Sequence, residues 1–259
     1  MKYKIIFVDI DWTLLDHEKH DFDYPSIEAL KQAQKEGLIV YLCTARPYDS
    51  IYHTKILNYL TPDGIVCTNG AVVFHHDEVI QAINFPIPIM RQIASYCEQN
   101  DIILELSTTK ERYFTKEKNP LVDEYFSYFS EVIPPIHPYQ DEEISEVLLF
   151  SLEEDDEKIK KGLPEGVSMF RFARTASDLH ITPITKDMGI NRVLSYLHIK
   201  KEESIGIGDD YGDIPMFDAV GLSIAMGNGP LEVQERAKMI TKKISESGLK
   251  YALEKIKNW

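Results

Sequence analysis

The chain reads as an α/β protein, with a Rossmann-like, doubly wound parallel sheet interrupted by an inserted α+β domain. Three observations predict this. The apolar runs KIIFV, LIVYLC and GIVC do not alternate, as expected of strands buried on both faces. Segments of helical period separate them by short links, the signature of parallel βαβ units. That rhythm stops after Asn69-Gly70 and resumes near residue 183.

Taken in order, Lys4 to Val8 is a strand that ends at Asp9. Pro25 to Lys35 is a helix, with Ile27, Leu30 and Ala33 on one face and Gly37 as its stop. Leu38 to Cys43 is the second strand, Tyr48 to Leu60 a helix, and Gly64 to Cys67 the third strand. Ala71 to Phe74 and Val79 to Ile83 make a hairpin around His75-His76, whose tip is read as solvated.

The insert follows, with helices at Ile87 to Gln99 and Asn119 to Phe129 and strands at Ile102 to Leu106 and Arg112 to Thr115. Pro134, Pro135 and Pro138 mark a loop. Glu146 to Leu152 is a strand, and the acidic run from Glu153 opens a charged helix, where negative charge suits the dipole. Val167 to Arg174 and Asp178 to Thr182 are strands. The first alternates Phe170 and Phe172 with Arg171 and Arg174, either a cationic face toward a substrate or a solvated edge. His180 is a further candidate to face substrate.

The core returns with a helix at Asp187 to Leu197 and strands at Ser204 to Ile207 and Leu222 to Ala225. Helices near Pro215, at Leu231 to Ala237 and up to Lys257 complete it. The expected division is a discontinuous core of residues 1–82 and 183–259 around an insert of 83–182.

Charge and composition remove several function classes. Against 28 Lys+Arg stand 42 Asp+Glu, a net charge of −14, which disfavours binding to nucleic acid or to an anionic membrane surface. No apolar stretch approaches a membrane span, and the opening residues turn acidic too soon for a signal peptide. Cys43, Cys67 and Cys97 lack metal or disulfide spacing; Cys43 and Cys67 end apolar strands and read as core. A cytoplasmic location is expected.

Four motifs sit at strand ends or helix starts, where an open α/β sheet gathers its ligand site. Asp9-Ile10-Asp11-Trp12-Thr13 follows the first strand, and two carboxylates so close call for a cation or a shared proton. Thr44-Ala45-Arg46 follows the second strand, placing a hydroxyl and backbone N–H groups where they suit a phosphate oxygen, with Arg46 in reach of a substrate anion. Lys186 heads a helix, a position the dipole disfavours. Gly208-Asp209-Asp210-Tyr211-Gly212-Asp213 crowds three carboxylates into a turn, a natural Mg²⁺ loop.

In this order the four motifs resemble those of the haloacid dehalogenase (HAD) superfamily, and the insert resembles the α/β cap of its Cof-type branch. Thr68-Asn69-Gly70-Ala71 and Ala225-Met226-Gly227-Asn228 are similar to that branch as well. The resemblance implies a Mg²⁺-dependent phosphatase for a small phosphorylated metabolite, such as a sugar phosphate. Asp9 would be the nucleophile and Asp11 the general acid and base. Thr44, Ala45, Arg46, Asn69 and Lys186 would contact the substrate. The metal would lie with Asp9, Asp209, Asp213 and Asp11, the last through its backbone carbonyl, while Asp213 either anchors Lys186 or binds through water. The role of Asp210 is open between the metal's surroundings and solvent. A phosphotransferase or phosphomutase on the same intermediate, and a non-catalytic binder, are the alternatives.

The chain departs from the family twice. Trp12 stands where the family has glycine, and Gly212 where it has asparagine. Trp12 either borders substrate access or packs at the seam with the cap.

Overall fold

The computed structural model describes residues 2–129 and 132–256. The predicted helix end at Lys257 lies outside them. The chain divides into two compact units: residues 1–46, 55–81 and 185–259, and residues 47–54 and 82–184.

The first unit contains β1 (Ile5–Val8), β2 (Leu15–Asp16), β3 (Asp21–Phe22), α1 (Tyr24–Lys35) and β4 (Ile39–Cys43). Next in the chain is α2 (Tyr48–Thr54), which belongs to the second unit. The predicted helix to Leu60 stops there because Lys55 turns left-handed, φ 68°, and a short 3₁₀ turn at Ile56–Asn58 takes over. What moves α2 into the second unit is visible in Asp49, which accepts a 3.0 Å bond from Arg112 Nε.

The first unit continues with β5 (Gly64–Cys67), β6 (Val72–His75) and β7 (Glu78–Ala82). The second unit adds α3 (Ile87–Gln99), β8 (Ile103–Ser107), β9 (Arg112–Phe114), α4 (Pro120–Phe129), β10 (Glu146–Phe150), α5 (Asp156–Gly162), β11 (Ser168–Arg171) and β12 (Ala176–His180). The chain then returns to the first unit with α6 (Lys186–Tyr196), β13 (Ser204–Gly208), α7 (Ile214–Ala219), β14 (Leu222–Ala225), α8 (Leu231–Arg236), β15 (Met239–Ile240) and α9 (Gly248–Lys255).

The first unit's eight-stranded sheet has the order β15-β14-β13-β1-β4-β5-β6-β7. Strands β15 through β5 run parallel, and β6 returns antiparallel to β5. This is the Rossmann-like α/β sheet the apolar runs predict, since every residue of β1 is buried and α6 and α7 pack Ile190, Val193, Met216 and Phe217 beneath it. Register then decides what meets at the top. Val8 pairs with both Ile207 and Leu42, so the residues that follow the adjacent strands β13, β1 and β4 emerge side by side. These are Asp209, Asp9 and Thr44.

In the second unit, five strands order as β11-β12-β10-β8-β9, all antiparallel. Leu104, Leu106, Val147 and Leu149 face the core formed with α3 and α5, and Ile103, Phe114, Leu148 and Phe150 face α4. Of the two readings of the Arg171 and Arg174 strand, the cationic face does not form. The first of these strands ends at Arg171, so Arg174 is off its alternation; Arg171 pairs with Asp156 and Arg174 with Glu124. His180 sits 3.3 Å from Asp178. The hairpin tip is exposed at His76 and Asp77, as expected, while His75 at the end of β6 is half-buried, with its Nδ1 2.6 Å from Tyr41 Oη.

Candidate active site

Every side chain of this site comes from the first unit. A cleft of about 780 Å³ is lined by Asp9, Asp11, Thr44, Ala45, Asn69, Lys186, Asp209 and Asp213, together with Trp12, Asp210, Gly212 and Asn228. Of the predicted site residues, only Arg46 is absent from its lining.

Its floor is acidic and dry. Asp9, Asp209 and Asp213 are 6%, 6% and 1% exposed, and each offers an oxygen within 4.8 Å of the others. Lys186, at the first turn of α6, donates from Nζ to Asp9 Oδ1 and to Asp213 Oδ1, both at 2.6 Å. Lysine at a helix start is thus explained by two carboxylates that outweigh the dipole. Asp213 uses its other oxygen to accept from the backbone N–H groups of Asp209, at 2.8 Å, and Asp210, at 3.1 Å, tying the turn together. Gly208 is dictated by this packing, since a Cβ there would lie 2.3 Å from Asp213 Cγ. Thr13 Oγ1 donates to Asp209 Oδ1 at 3.2 Å.

Three carboxylates and one ammonium leave two negative charges in a buried space. Like charges at such separations repel by about 3–4 kcal/mol at an effective dielectric of 20. Burial pushes the Asp9 carboxyl well above its usual range; Lys186 opposes this, while Asp213 and Asp209 add to it. Asp209 is pushed up to about 8, first by burial and then by Asp213. Lys186 is held charged, because the two aspartates overcome the effect of its own burial. Oxygen-only donors with two uncompensated charges fit a hard divalent cation.

The rim is different. Asp11 does not bring its carboxylate to the acidic trio. Its Oδ2 accepts from Arg46 Nε and its Oδ1 from Arg46 Nη2, both at 2.8 Å, and His17 Nε2 lies 2.7 Å from Oδ1. Burial alone would raise this carboxyl, but the hydrogen bonds from His17 and Arg46, with the guanidinium charge, hold it far below the usual range. The Asp11 side chain is thus turned away from the trio, in keeping with a metal contact expected only through its backbone carbonyl, while the Arg46 guanidinium, expected in reach of a substrate anion, is engaged by Asp11.

Thr44 Oγ1 accepts from the backbone N–H of Arg46 at 3.1 Å. Asn69 is held by a left-handed turn, φ 52°, with its N–H 3.3 Å from the Thr44 carbonyl. Trp12 has φ 57°, which explains why a glycine is expected there. Its carbonyl accepts from Asn228 Nδ2 at 2.9 Å, and the residue, 38% exposed, lines the cleft. Gly212 faces open space, with nothing within 4 Å of where a Cβ would stand, so no packing demand excludes a side chain there.

His17, Lys243 and Ser245 are not legible as site residues in the sequence. His17 arrives on the two-residue β2–β3 hairpin and the other two on the loop after β15, elements too short to give a periodic signal.

A sequence profile of haloacid dehalogenase-like hydrolases matches residues 6–253. A Streptococcus pyogenes protein whose name pairs a phosphatase with a peptidyl-prolyl cis-trans isomerase is 26% identical over 98% of this chain, which spans 54% of its length. A solved structure from Geobacillus kaustophilus, 26% identical, superposes with a TM-score of 0.90 over 98% of this chain and 99% of its own. A HAD subclass IIB sugar phosphatase, 25% identical, superposes at 0.79 over 98% and 99%.

Proposed function

Because the chain belongs to the haloacid dehalogenase-like hydrolases and is an enzyme of that family, we propose that it is a Mg²⁺-dependent phosphatase acting on a small phosphorylated metabolite, a sugar phosphate being the leading class. The observation that carries this reading is the buried trio of Asp9, Asp209 and Asp213 joined to Lys186 at the floor of a cleft. The likeness to a sugar phosphatase supports the substrate class.

In this reading Asp9 attacks phosphorus in line, forming an aspartyl phosphate as the P–O bond to the leaving group breaks. Asp11, ionised until substrate binds, takes up the proton that the phosphate monoester carries, passes it to the departing alkoxide, and then takes one from the water that attacks the intermediate. Lys186 and the Thr44 hydroxyl hold the transferring oxygens, and the Ala45 N–H and the Asn69 side-chain amide orient the substrate. Arg46 acts on Asp11. Asp9, Asp209 and Asp213 would hold Mg²⁺, which neutralises charge so that an anionic nucleophile can meet an anionic phosphate. Substrate choice is assigned to the inserted unit.

Phosphate release from a panel of phosphorylated metabolites tests this, run with Mg²⁺, with EDTA, and with Asp9→Asn. Release by the wild type alone, abolished by EDTA and restored by Mg²⁺, is expected. Turnover that survives in Asp9→Asn or ignores chelation would defeat the reading.

A further inference from the structure

We propose that His17 is a positioning residue for Asp11, an inference that rests on the phosphatase reading above. Residues 11 to 15 close a tight turn, with the Trp12 N–H donating to the Leu15 carbonyl at 2.9 Å and a bridge between Asp11 and Leu15. This turn leads straight into the β2–β3 hairpin, and His17 begins the hairpin's connection beside Asp11. His17 Nε2 stands 2.7 Å from Asp11 Oδ1, within hydrogen-bonding distance.

The bond is supported on its far side. The imidazole leans on the Trp12 indole with centroids 5.2 Å apart and planes at 48°, and its side chain is 26% exposed. The Arg46 fork restrains both Asp11 oxygens from the tip of β4 alone. A third contact on Oδ1, carried by the β2–β3 connection rather than by β4, restrains the carboxylate from a second element. Proton transfer needs heavy atoms about 2.6–3.2 Å apart, and a displacement of about 1 Å costs up to ~10²-fold in rate. His17 thus sets where the acid and base of the reaction stands without touching the substrate.

The test is a double-mutant cycle with the sugar phosphate that wild type hydrolyses fastest and with p-nitrophenyl phosphate, whose leaving group needs no acid. His17→Ala is expected to lower kcat on the sugar phosphate about tenfold with KM within about twofold. His17→Gln, which keeps an N–H at the same reach, should recover most of it. In an Asp11→Asn background, His17→Ala should change the p-nitrophenol burst rate by less than about twofold, because its route of action is gone. Melting curves with Mg²⁺ establish that each variant is folded, and the Gln variant carries the test if Ala does not fold. Equal losses in both backgrounds, or no recovery with Gln, would overturn the proposal. A wild type inert toward both esters would instead bring down the phosphatase reading, and this inference with it.

Discussion

Asp9 and Asp11 lie two residues apart, one on the floor of the cleft and one on its rim, and their surroundings drive their carboxyls in opposite directions. The floor buries Asp9 among carboxylates and offsets them with one lysine, so its carboxyl is raised. The rim gives Asp11 an arginine fork and a histidine, so its carboxyl is lowered despite burial. Pairs of titratable groups pushed apart in this way mark divided labour. The floor demands a cation before Asp9 can serve as a nucleophile, whereas the rim orients Asp11 without one and keeps it ionised until substrate binds.

The largest effect should come from breaking each half in turn. Asp9→Asn is expected to remove turnover on every ester, by about 10⁴-fold or more. Asp11→Asn should cost about 10²- to 10⁴-fold on alkyl phosphates and markedly less in kcat/KM on p-nitrophenyl phosphate. Steady-state kinetics on the two ester types check this, and an Asp11→Asn loss that ignores the leaving group would erase the distinction between floor and rim.

A smaller effect should sharpen the claim that the floor needs metal. Burial and Asp213 push the Asp209 carboxyl from the ordinary carboxylate range up to about 8 in the folded state. Between these limits the folded state binds the extra proton, so metal-free stability falls as pH rises through this window. Mg²⁺ displaces that proton, so its stabilisation should grow with pH by up to about 1.4 kcal/mol per unit below pH 8. For a chain of this size that is about 3–6 °C in Tm per unit. Thermal melts at pH 6 and 8, with EDTA or with MgCl₂, would read it, and equal Mg²⁺ shifts at the two pH values would contradict the raised carboxyl. Asp11 does not complicate this comparison, because the stability it contributes is lost only as pH falls below the ordinary carboxylate range.

The smallest effect concerns the rim's backbone. Trp12 holds a left-handed conformation that glycine adopts freely and other residues adopt at a cost of about 1–2 kcal/mol. Trp12→Gly should therefore be more stable than Trp12→Ala by about 1 kcal/mol, although both lose the indole. Chemical denaturation of the two variants decides it; equal stability would show that the positive φ carries no strain.

Much of this protein follows from the sequence alone. Non-alternating apolar runs ending just before Asp9 and Thr44 predict buried parallel strands whose tips carry polar groups, because only a sheet covered on both faces tolerates such runs. Lys186 stands out by its poor fit to a helix start, and the order of the motifs points to the family. What tertiary structure decided is which charges meet. Arg46 could have reached a substrate anion or a carboxylate, and Asp11 a metal or an arginine. Sequence spacing cannot choose between such partners, since the choice depends on how a two-residue hairpin and the β4 tip converge in space. The contacts of His17 with Asp11 and of Lys186 with Asp213 join residues through folded geometry. Long-range pairing of charges is settled by the register of the sheet and the path of its loops, and neither leaves a periodic trace in the chain.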